Sequence, residues 1–337
     1  MDSTGRPVAL AIALSCIIGL TGCTSNPARF EIGVIGDAPY TAREEAKFPV
    51  VISAMNESDL AFVVHVGDLQ ADPRIYLNGS EPCTDQTLAN RKALFDSSRH
   101  PLILTPGDND WTDCHYTKPS TDPLARLEAI RKMFFSNDRT LGQQSFSVAR
   151  QGSDPSFSKF VENARWVYGD IVFVTLHMVG SNNNLGRTPD ADAEFSERDA
   201  ANTAWMKQAF VVAARGQHKG VMIFTQANPY IEDRWPPIYR PIMRMAPVPP
   251  EPSGYRTFLS ALEREAVAFK LPVALIHGDT HFFRIDKPLL ALGTYRLVEN
   301  LTRVETFGSP YVHWVRVIVE PTTPAVFTFR PELDSDR

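Results

Sequence analysis

The sequence predicts an α/β protein with a layered architecture that contains two β-sheets, and three observations support this class. Apolar runs of strand length alternate with amphipathic stretches, starting with the runs 31–37, 60–68 and 101–108. The C-terminal part carries several short alternating runs in succession, which indicates antiparallel strands. No segment of linker composition divides the chain, so residues 31–337 are expected to form one domain.

The helices are predicted from apolar spacing and from capping residues. Thr41 and Glu44 have the spacing of a capping box ahead of an apolar stripe, and Pro49 is expected either to kink that helix or to mark its true start. Asp122 and Pro123 read as an N-cap followed by the first helical residue. Further helices are predicted over 86–97, 194–214 and about 256–269.

The middle of the chain supplies more strands and one long loop. Strands are expected on both sides of Gly169 and Asp170, which form a hairpin signal, and also over 220–226 and 272–279. Residues 229–252 are dense in proline, so we predict a long loop there that serves as a lid or a linker.

The composition is that of an ordinary globular protein. The chain is 43% hydrophobic and 22% charged, with a formal net charge of −5. Proteins whose main partner is a nucleic-acid backbone usually carry a basic excess, so no nucleic-acid partner is expected.

Residues 1–22 are predicted to be a lipoprotein signal peptide. Arg6 gives the N-terminal region of the signal peptide a minimal positive charge. Residues 8–20 form the apolar core of the signal peptide, which is too short to span a bilayer. The LTGC stretch that ends at Cys23 looks like a bacterial lipobox, which implies lipidation of Cys23 and an anchor linker over 23–30. An ordinary secretory signal is the alternative. We therefore expect a location in the bacterial cell envelope, facing the periplasm or at the outer membrane, with membrane contact through the lipid anchor only.

Two cysteines remain in the predicted mature domain, Cys83 and Cys114. In an oxidising compartment such a pair is expected to form a disulfide, and two free buried thiols are the alternative.

Four apolar runs in separate parts of the chain end in Gly-Asp, and their aspartates are Asp37, Asp68, Asp108 and Asp279. In open α/β sheets ligands bind beyond the carboxyl ends of the strands, so these carboxylates are expected to converge if their strands are neighbours. Crowded carboxylates resist joint ionisation, and two divalent cations would balance four of them. This arithmetic predicts a binuclear metal site. For any one aspartate alone, a turn or a helix cap is the alternative.

The order of these motifs resembles that of the calcineurin-like metallophosphoesterase superfamily, which includes the purple acid phosphatases. The match spans about residues 31–290, with the blocks GDAPY (36–40), GDLQ (67–70), GDND (107–110), TQANP (225–229) and GDTH (278–281). The resemblance implies a two-sheet sandwich flanked by helices in α/β/β/α layers. It also implies hydrolysis of phosphate esters at a binuclear metal centre, with a bridging hydroxide as the nucleophile.

Carried over residue by residue, the resemblance implies six metal ligands: Asp37, Asp68, Asp108, Gln226, Asp279 and His281. Asp68 would bridge both ions and would hold the first together with Asp37 and His281. The other three ligands would complete the second site.

This chain departs from the family pattern at several ligand positions. Pro39 stands where the first block has a His, and Asp108 replaces an Asn. Gln226 and Asp279 replace histidines, and Gln226 is the least certain alignment. Oxygen ligands of this kind favour Mn²⁺, Mg²⁺ or Ca²⁺ over Zn²⁺.

The expected catalytic residues are Asn109 and Asp110, and the expected substrate-binding residues are Tyr40 and Arg234. Asn109 stands where the family has the His that assists the substrate and the leaving group. An amide can hold a phosphate oxygen but cannot carry a proton at neutral pH. His115 is a possible displaced general acid, and a solvated loop histidine is its alternative. For Tyr40 and Arg234, structural roles also remain open.

Three other histidines, His65, His177 and His277, are expected to pack or to orient their neighbours. Two further interpretations stand beside the hydrolase. One is a non-catalytic envelope lipoprotein that keeps the fold and binds metal or a phosphorylated ligand. The other is a scaffold whose aspartates only cap turns. The sequence indicates neither the oligomeric state nor a preference between monoesters and diesters.

Overall fold

The structure is a computed structural model that describes residues 1–2, 29–231 and 251–333. Its strands in chain order are β1 (Phe30–Ile35), β2 (Val63–His65), β3 (Leu102–Leu104), β4 (Ala149–Arg150), β5 (Ala164–Tyr168), β6 (Ile171–Thr175), β7 (Gly220–Phe224), β8 (Val273–His277), β9 (Arg284–Asp286), β10 (Leu301–Glu305), β11 (Trp314–Glu320) and β12 (Val326–Glu332). Its helices are α1 (Ala42–Glu57), α2 (Asp85–Asp96), α3 (Pro123–Phe134), α5 (Pro189–Arg215) and α6 (Arg256–Phe269), and a short turn labelled α4 (Gly180–Asn183), in which Ser181 and Asn182 have left-handed backbone, precedes α5.

The strands form two sheets. The five-stranded sheet has the order β12-β11-β1-β2-β3, and its strands β1, β2 and β3 run parallel. The seven-stranded sheet has the order β4-β5-β6-β7-β8-β10-β9, and its strands β6, β7, β8 and β10 run parallel. Parallel strands place their carboxyl ends at one edge of each sheet, which is where ligands bind in such folds.

Buried side chains divide the molecule into layers. Val64 of β2 lies in one apolar cluster with Phe173 and Phe224 of the other sheet, so this cluster fills the space between the sheets. Val63, one residue earlier, packs with α1, α2 and α3 on the outer face. Helices α5 and α6 cover the outer face of the seven-stranded sheet. Successive side chains of β2 point to opposite faces of the sheet, as the two-residue period of a strand requires. With helices on both outer faces, the two sheets form α/β/β/α layers. The predicted two-sheet sandwich flanked by helices is confirmed.

Most predicted elements are present, with shorter strands than the apolar runs suggested. Helix α1 starts at Ala42 and continues past Pro49, because Phe48, Val51 and neighbouring apolar residues are buried against the sheet on both sides of the proline. The predicted N-cap is present, since the Thr41 hydroxyl accepts from the Glu44 N–H at 3.3 Å.

One expectation about the C-terminal strands was wrong in part. Strands β9, β11 and β12 pair antiparallel, but β10 lies parallel to β8. The tail therefore contributes to both sheets, and a short edge strand, β4, was not predicted.

Some sequence-based expectations lie outside the described residues. These are the signal peptide core, lipidation at Cys23, the substrate-binding Arg234, and most of the proline-rich loop. Between residues 29 and 231 and between 251 and 333, no helix is both long and apolar enough to cross a bilayer.

The predicted disulfide joins Cys83 to Cys114 across 31 positions of sequence. It links the loop after β2 to the loop after β3. We expect the double variant C83S/C114S to lose about 3–4 kcal/mol of unfolding free energy, because the unfolded chain gains the entropy of an open loop. Urea denaturation would measure the loss, and reduction of the wild type should reproduce it. A double variant as stable as the oxidised wild type would contradict this prediction.

Candidate functional site

The strand-end aspartates meet at one edge of the sandwich. Asp37, Asp68 and Asp108 follow the parallel strands β1, β2 and β3, and Asp279 follows β8 of the other sheet. Asp37, Asp68 and Asp108 are buried and Asp279 is partly buried, and each lies near enough to others in the group to perturb their ionisation. Tertiary structure thus brings together carboxylates that are up to 242 positions apart in sequence, as the contact of Asp37 with Asp279 shows.

The glycines before these aspartates allow the carboxylates to approach the backbone. A Cβ atom on Gly107 would lie 2.0 Å from Asp68 Oδ1, and one on Gly278 would lie 1.9 Å from Asp37 Oδ2. Any side chain at either position would displace a carboxylate of another block. At these two positions glycine is therefore required by close packing between the motifs as well as by the turn that follows each strand.

Three of the four aspartates have left-handed backbone conformations, with φ of 51° at Asp37, 56° at Asp68 and 81° at Asp279. Aspartate tolerates this region better than most residues, yet it still costs energy. Strained backbone of this kind concentrates at functional sites.

Asp68 lies at the centre of the hydrogen bonds in the cluster. Its Oδ1 accepts from the Asn109 N–H at 3.0 Å, and its Oδ2 accepts from the Tyr40 hydroxyl at 2.9 Å. The Gln226 Nε2 also donates to Oδ2, at 3.2 Å. Donors from three separate segments therefore fix the orientation of this carboxylate.

His281 faces Asp37 from the last motif. Its Nδ1 lies 2.7 Å from the Ser309 carbonyl oxygen, a geometry in which Nδ1–H donates. The neutral ring then has an unprotonated Nε2, which lies 3.7 Å from Asp37 Oδ1. A histidine that donates through one nitrogen and presents the other as a lone pair has the arrangement of a typical metal ligand.

Two carboxylate oxygens of the cluster, Asp37 Oδ2 and Asp108 Oδ1, are buried without a hydrogen-bond partner in the described part of the chain. Buried polar atoms rarely lack partners, so this pair marks a place where a positive ligand would be favourable. As the side chains stand, no three His, Cys, Asp or Glu residues within the described ranges are arranged to hold one ion. Hydrogen bonds from Tyr40 and Gln226 satisfy one of these carboxylates, that of Asp68, instead.

The cluster is electrostatically strained when it is metal-free. Burial, together with repulsion from neighbouring carboxylates, raises the pKa of Asp37, Asp68 and Asp108 well above the usual range. Burial and repulsion from carboxylates including Glu305 raise the pKa of Asp279 to about 7.

We expect the metal-free protein to lose thermal stability as the pH rises from about 4 to about 8. Aspartate titrates near pH 3.9 in unfolded chains, whereas the pKa of Asp279 is about 7 in the folded state. The stability due to this proton is complete below about pH 4 and is lost as the pH rises through about 7. Thermal unfolding in EDTA should show a fall in Tm of at least about 5 °C between pH 5 and pH 8.

Saturating Mn²⁺ is the control for this pH dependence, because a bound cation favours the ionised carboxylates. It should flatten or reverse the fall in Tm. A metal-free Tm that is constant or rises over this range would contradict the expected protonation of the cluster.

Of the predicted catalytic and substrate-binding residues, the three within the described ranges, Tyr40, Asn109 and Asp110, are already engaged within the protein. Asn109 donates from Nδ2 to the Tyr40 hydroxyl at 3.0 Å, and that hydroxyl donates onward to Asp68. Asp110 accepts three backbone N–H bonds, from Gly107 at 2.8 Å, Leu69 at 2.7 Å and Asp68 at 3.1 Å. The Asp110 carboxylate therefore joins the loop that follows β2 to the loop that follows β3.

Gln226 reaches the cluster in an orientation that differs from that of a metal ligand. Its Oε1 accepts from the Gly180 N–H at 2.6 Å, and its Nε2 points to Asp68. Ligation through Oε1 requires a flip of the amide, so the ligand role stays a prediction.

The other histidines have local partners that suit positioning roles. His65 lies between the Gly67 N–H and the Ala38 carbonyl, and thereby ties the first two motifs together. His177 Nδ1 lies 2.7 Å from the buried Glu162 carboxylate. His115 donates to the Thr112 carbonyl at 2.7 Å and remains partly exposed.

Sequence reasoning missed three residues at the site: Gly180, Ser181 and Asp113. The Ser181 hydroxyl lies 2.9 Å from Asp108 Oδ2 and 2.7 Å from Asp113 Oδ1. A Cβ on Gly180 would lie 2.6 Å from both Asp108 carboxylate oxygens and from Asp279 Oδ1. The available signal was the run GSNNN after β6, since β6 ends at the same edge as the Gly-Asp strands.

The comparisons with known proteins concern the fold. No family model matches this chain, and no curated protein is significantly similar to it in sequence. The chain is similar to a solved structure of PhoD, with a TM-score of 0.54 over 91% of this chain and 69% of the PhoD chain. The sequence identity is 13%, so the likeness is one of fold. The chain therefore shares its two-sheet α/β sandwich fold with PhoD.

Proposed function

We propose that this chain hydrolyses phosphate esters with the help of two divalent metal ions. The observation that carries the proposal is the convergence of four strand-end aspartates and His281, in which Asp37 Oδ2 and Asp108 Oδ1 are buried and have no hydrogen-bond partner among the residues that the structure describes. Cations would satisfy both oxygens and would offset the burial and the mutual repulsion that raise the pKa values of these carboxyl groups. PhoD, whose fold is similar, is a metallophosphoesterase-like enzyme.

The chemistry of the donors suits two hard cations. In this proposal Asp37, Asp68 and His281 hold one ion, and Asp68 also contributes to the second with Asp108 and Asp279. Gln226 joins the second set if its amide turns over. Because oxygen donors dominate, Mn²⁺, Mg²⁺ or Ca²⁺ are favoured over Zn²⁺.

The ions would supply a hydroxide nucleophile and neutralise charge on the phosphoryl group. The protein keeps the site rigid: Tyr40 and Asn109 fix Asp68, and Asp110 fixes the loops that carry Asp68 and Asn109. The Asn109 Nδ2 has a second hydrogen that can bind a phosphate oxygen. Arg234 remains a proposed substrate contact.

A panel of metals and substrates tests this proposal. The chain without its first 23 residues, which hold the predicted signal peptide and the predicted lipidated cysteine, would be assayed with Mn²⁺, Mg²⁺, Ca²⁺ or Zn²⁺ against phosphate monoesters and diesters. We expect turnover that requires added metal and disappears in EDTA. If the protein retains no metal and hydrolyses no substrate of the panel, the proposal is overturned.

A second candidate function is binding of metal or a phosphorylated ligand without catalysis. It is favoured by Asn109, which replaces a proton-carrying residue of the similar family and is tied to Tyr40. Metal binding with no turnover across the panel would support it. In either case we propose a lipid anchor at Cys23, and the variant C23A should then be released from the membrane fraction.

A further inference from the structure

A hydrogen-bonded chain outside the six proposed ligands determines how Asp108 is oriented. Within the described part of the chain, the Asp108 carboxylate is held at one oxygen, where the Ser181 hydroxyl lies 2.9 Å from Oδ2. Its other oxygen, Oδ1, is buried and has no partner among the described residues. Ser181 therefore fixes which oxygen of Asp108 remains available to a ligand.

Ser181 is itself anchored by a second carboxylate. Its hydroxyl lies 2.7 Å from Asp113 Oδ1, and the Arg74 Nη2 donates to Asp113 Oδ2 at 2.6 Å. Asp113 is 1% exposed, and its backbone N–H donates to the Asp108 carbonyl at 3.1 Å. A serine hydroxyl has one proton, so Ser181 donates to one carboxylate at a time while lying within hydrogen-bond distance of both.

The backbone that presents Ser181 is unusual. Ser181 has φ of 47° and begins a run of left-handed residues through Asn184. Non-glycine residues in this region cost energy and persist only where the surroundings impose them. Here Arg198 holds the turn, because its Nη2 donates to the Asn183 carbonyl at 3.0 Å and its Nη1 to the His177 carbonyl at 2.8 Å.

We propose that Ser181 and Asp113 are positioning residues for Asp108, and that they set the geometry of the second metal ion. The chain Arg74–Asp113–Ser181–Asp108 connects the end of β6 in one sheet to the loop after β3 in the other. It directs the free Asp108 oxygen toward the cluster. This inference rests on the two-ion centre proposed above.

The test is a titration with Mn²⁺ alone, followed by calorimetry and by electron paramagnetic resonance. We expect the wild type to bind two ions and to give the signal of a spin-coupled pair. In S181A the second ion should bind about 10- to 100-fold more weakly, and the coupled signal should give way to that of isolated Mn²⁺. D113N should shift the same second step in the same direction.

Two further variants separate positioning from folding. S181G also lacks the hydroxyl but suits the left-handed backbone, so it should bind the second ion as weakly as S181A does. D72N removes the other carboxylate that binds Arg74 but leaves Asp113 and Ser181 in place, so it should bind both ions normally.

The outcomes distinguish the two proposals. Wild type that binds two ions, together with S181A and D113N that do so equally well, would overturn the positioning role alone. Recovery of the second ion in S181G would also overturn it, because backbone strain would then explain the loss in S181A. Wild type that binds no Mn²⁺ would overturn both proposals.

Discussion

Replacing Asp68 by asparagine is expected to lower metal-dependent phosphoester turnover by about 10³-fold or more. Asp68 is the only proposed ligand of both ions, and metal ions in such sites contribute several kcal/mol to stabilisation of the transition state. The amide keeps the size of the side chain and can still accept from the Asn109 N–H. The loss therefore concerns charge and ligation.

The D68N variant should fold, because it removes one charge from a group of mutually repelling carboxylates. Asp68 is buried, and repulsion from Asp108, Asp110 and Asp37 adds to the rise in its pKa. We expect a metal-free Tm at pH 8 equal to or above that of the wild type. The matched control is D138N, an exposed aspartate in a loop, which should keep full activity. D68N with turnover within about tenfold of the wild type would exclude Asp68 as a bridging ligand.

Replacing Gly180 by alanine is expected to weaken binding of the second ion by at least about 100-fold, although no ligand is removed. The added methyl would lie 2.6 Å from both oxygens of Asp108 and from Asp279 Oδ1, in the space that these two carboxylates share. Gly180 does not have a left-handed φ, so the backbone accepts alanine and the effect is one of space. Mn²⁺ titration and turnover should fall together.

A control for Gly180 must separate metal binding from stability, since overpacking also destabilises. Gly186 is a suitable control position, because a Cβ atom there would have no neighbour within 4 Å among the described residues. Its φ of 92° nevertheless makes alanine unfavourable for the backbone. G186A should lower the Tm and leave both ions bound. If G180A binds two ions as tightly as the wild type, the space between Asp108 and Asp279 is not a metal position.

The elements and the layers were largely predictable because their causes are local. Alternation along a strand, as at Val63 and Val64, follows from the period of the backbone, and the Thr41 cap follows from a hydroxyl near an unpaired N–H. The parallel pairing of β10 with β8 was not predictable, because strands of the same pattern can pair in either direction.

The convergence of the four strand-end aspartates was predictable because each follows a buried strand within a short motif. The surroundings of these aspartates were not predictable. The use of Asp110 as a backbone acceptor, the orientation of the Gln226 amide and the Ser181 link to Asp108 each join segments from distant parts of the chain.

The sequence by itself determined the layered α/β class, the residues at the strand ends and the disulfide pair. Tertiary structure alone decided how those residues are used, because hydrogen-bond directions depend on which loops become neighbours. Asn109, where the sequence suggested a missing proton carrier, lies in the structure against Tyr40 and Asp68 and helps to orient the central carboxylate. Gly180 and Ser181, in a plain polar run, reach the edge of the same cluster, because β6 ends there and a left-handed turn carries them to Asp108.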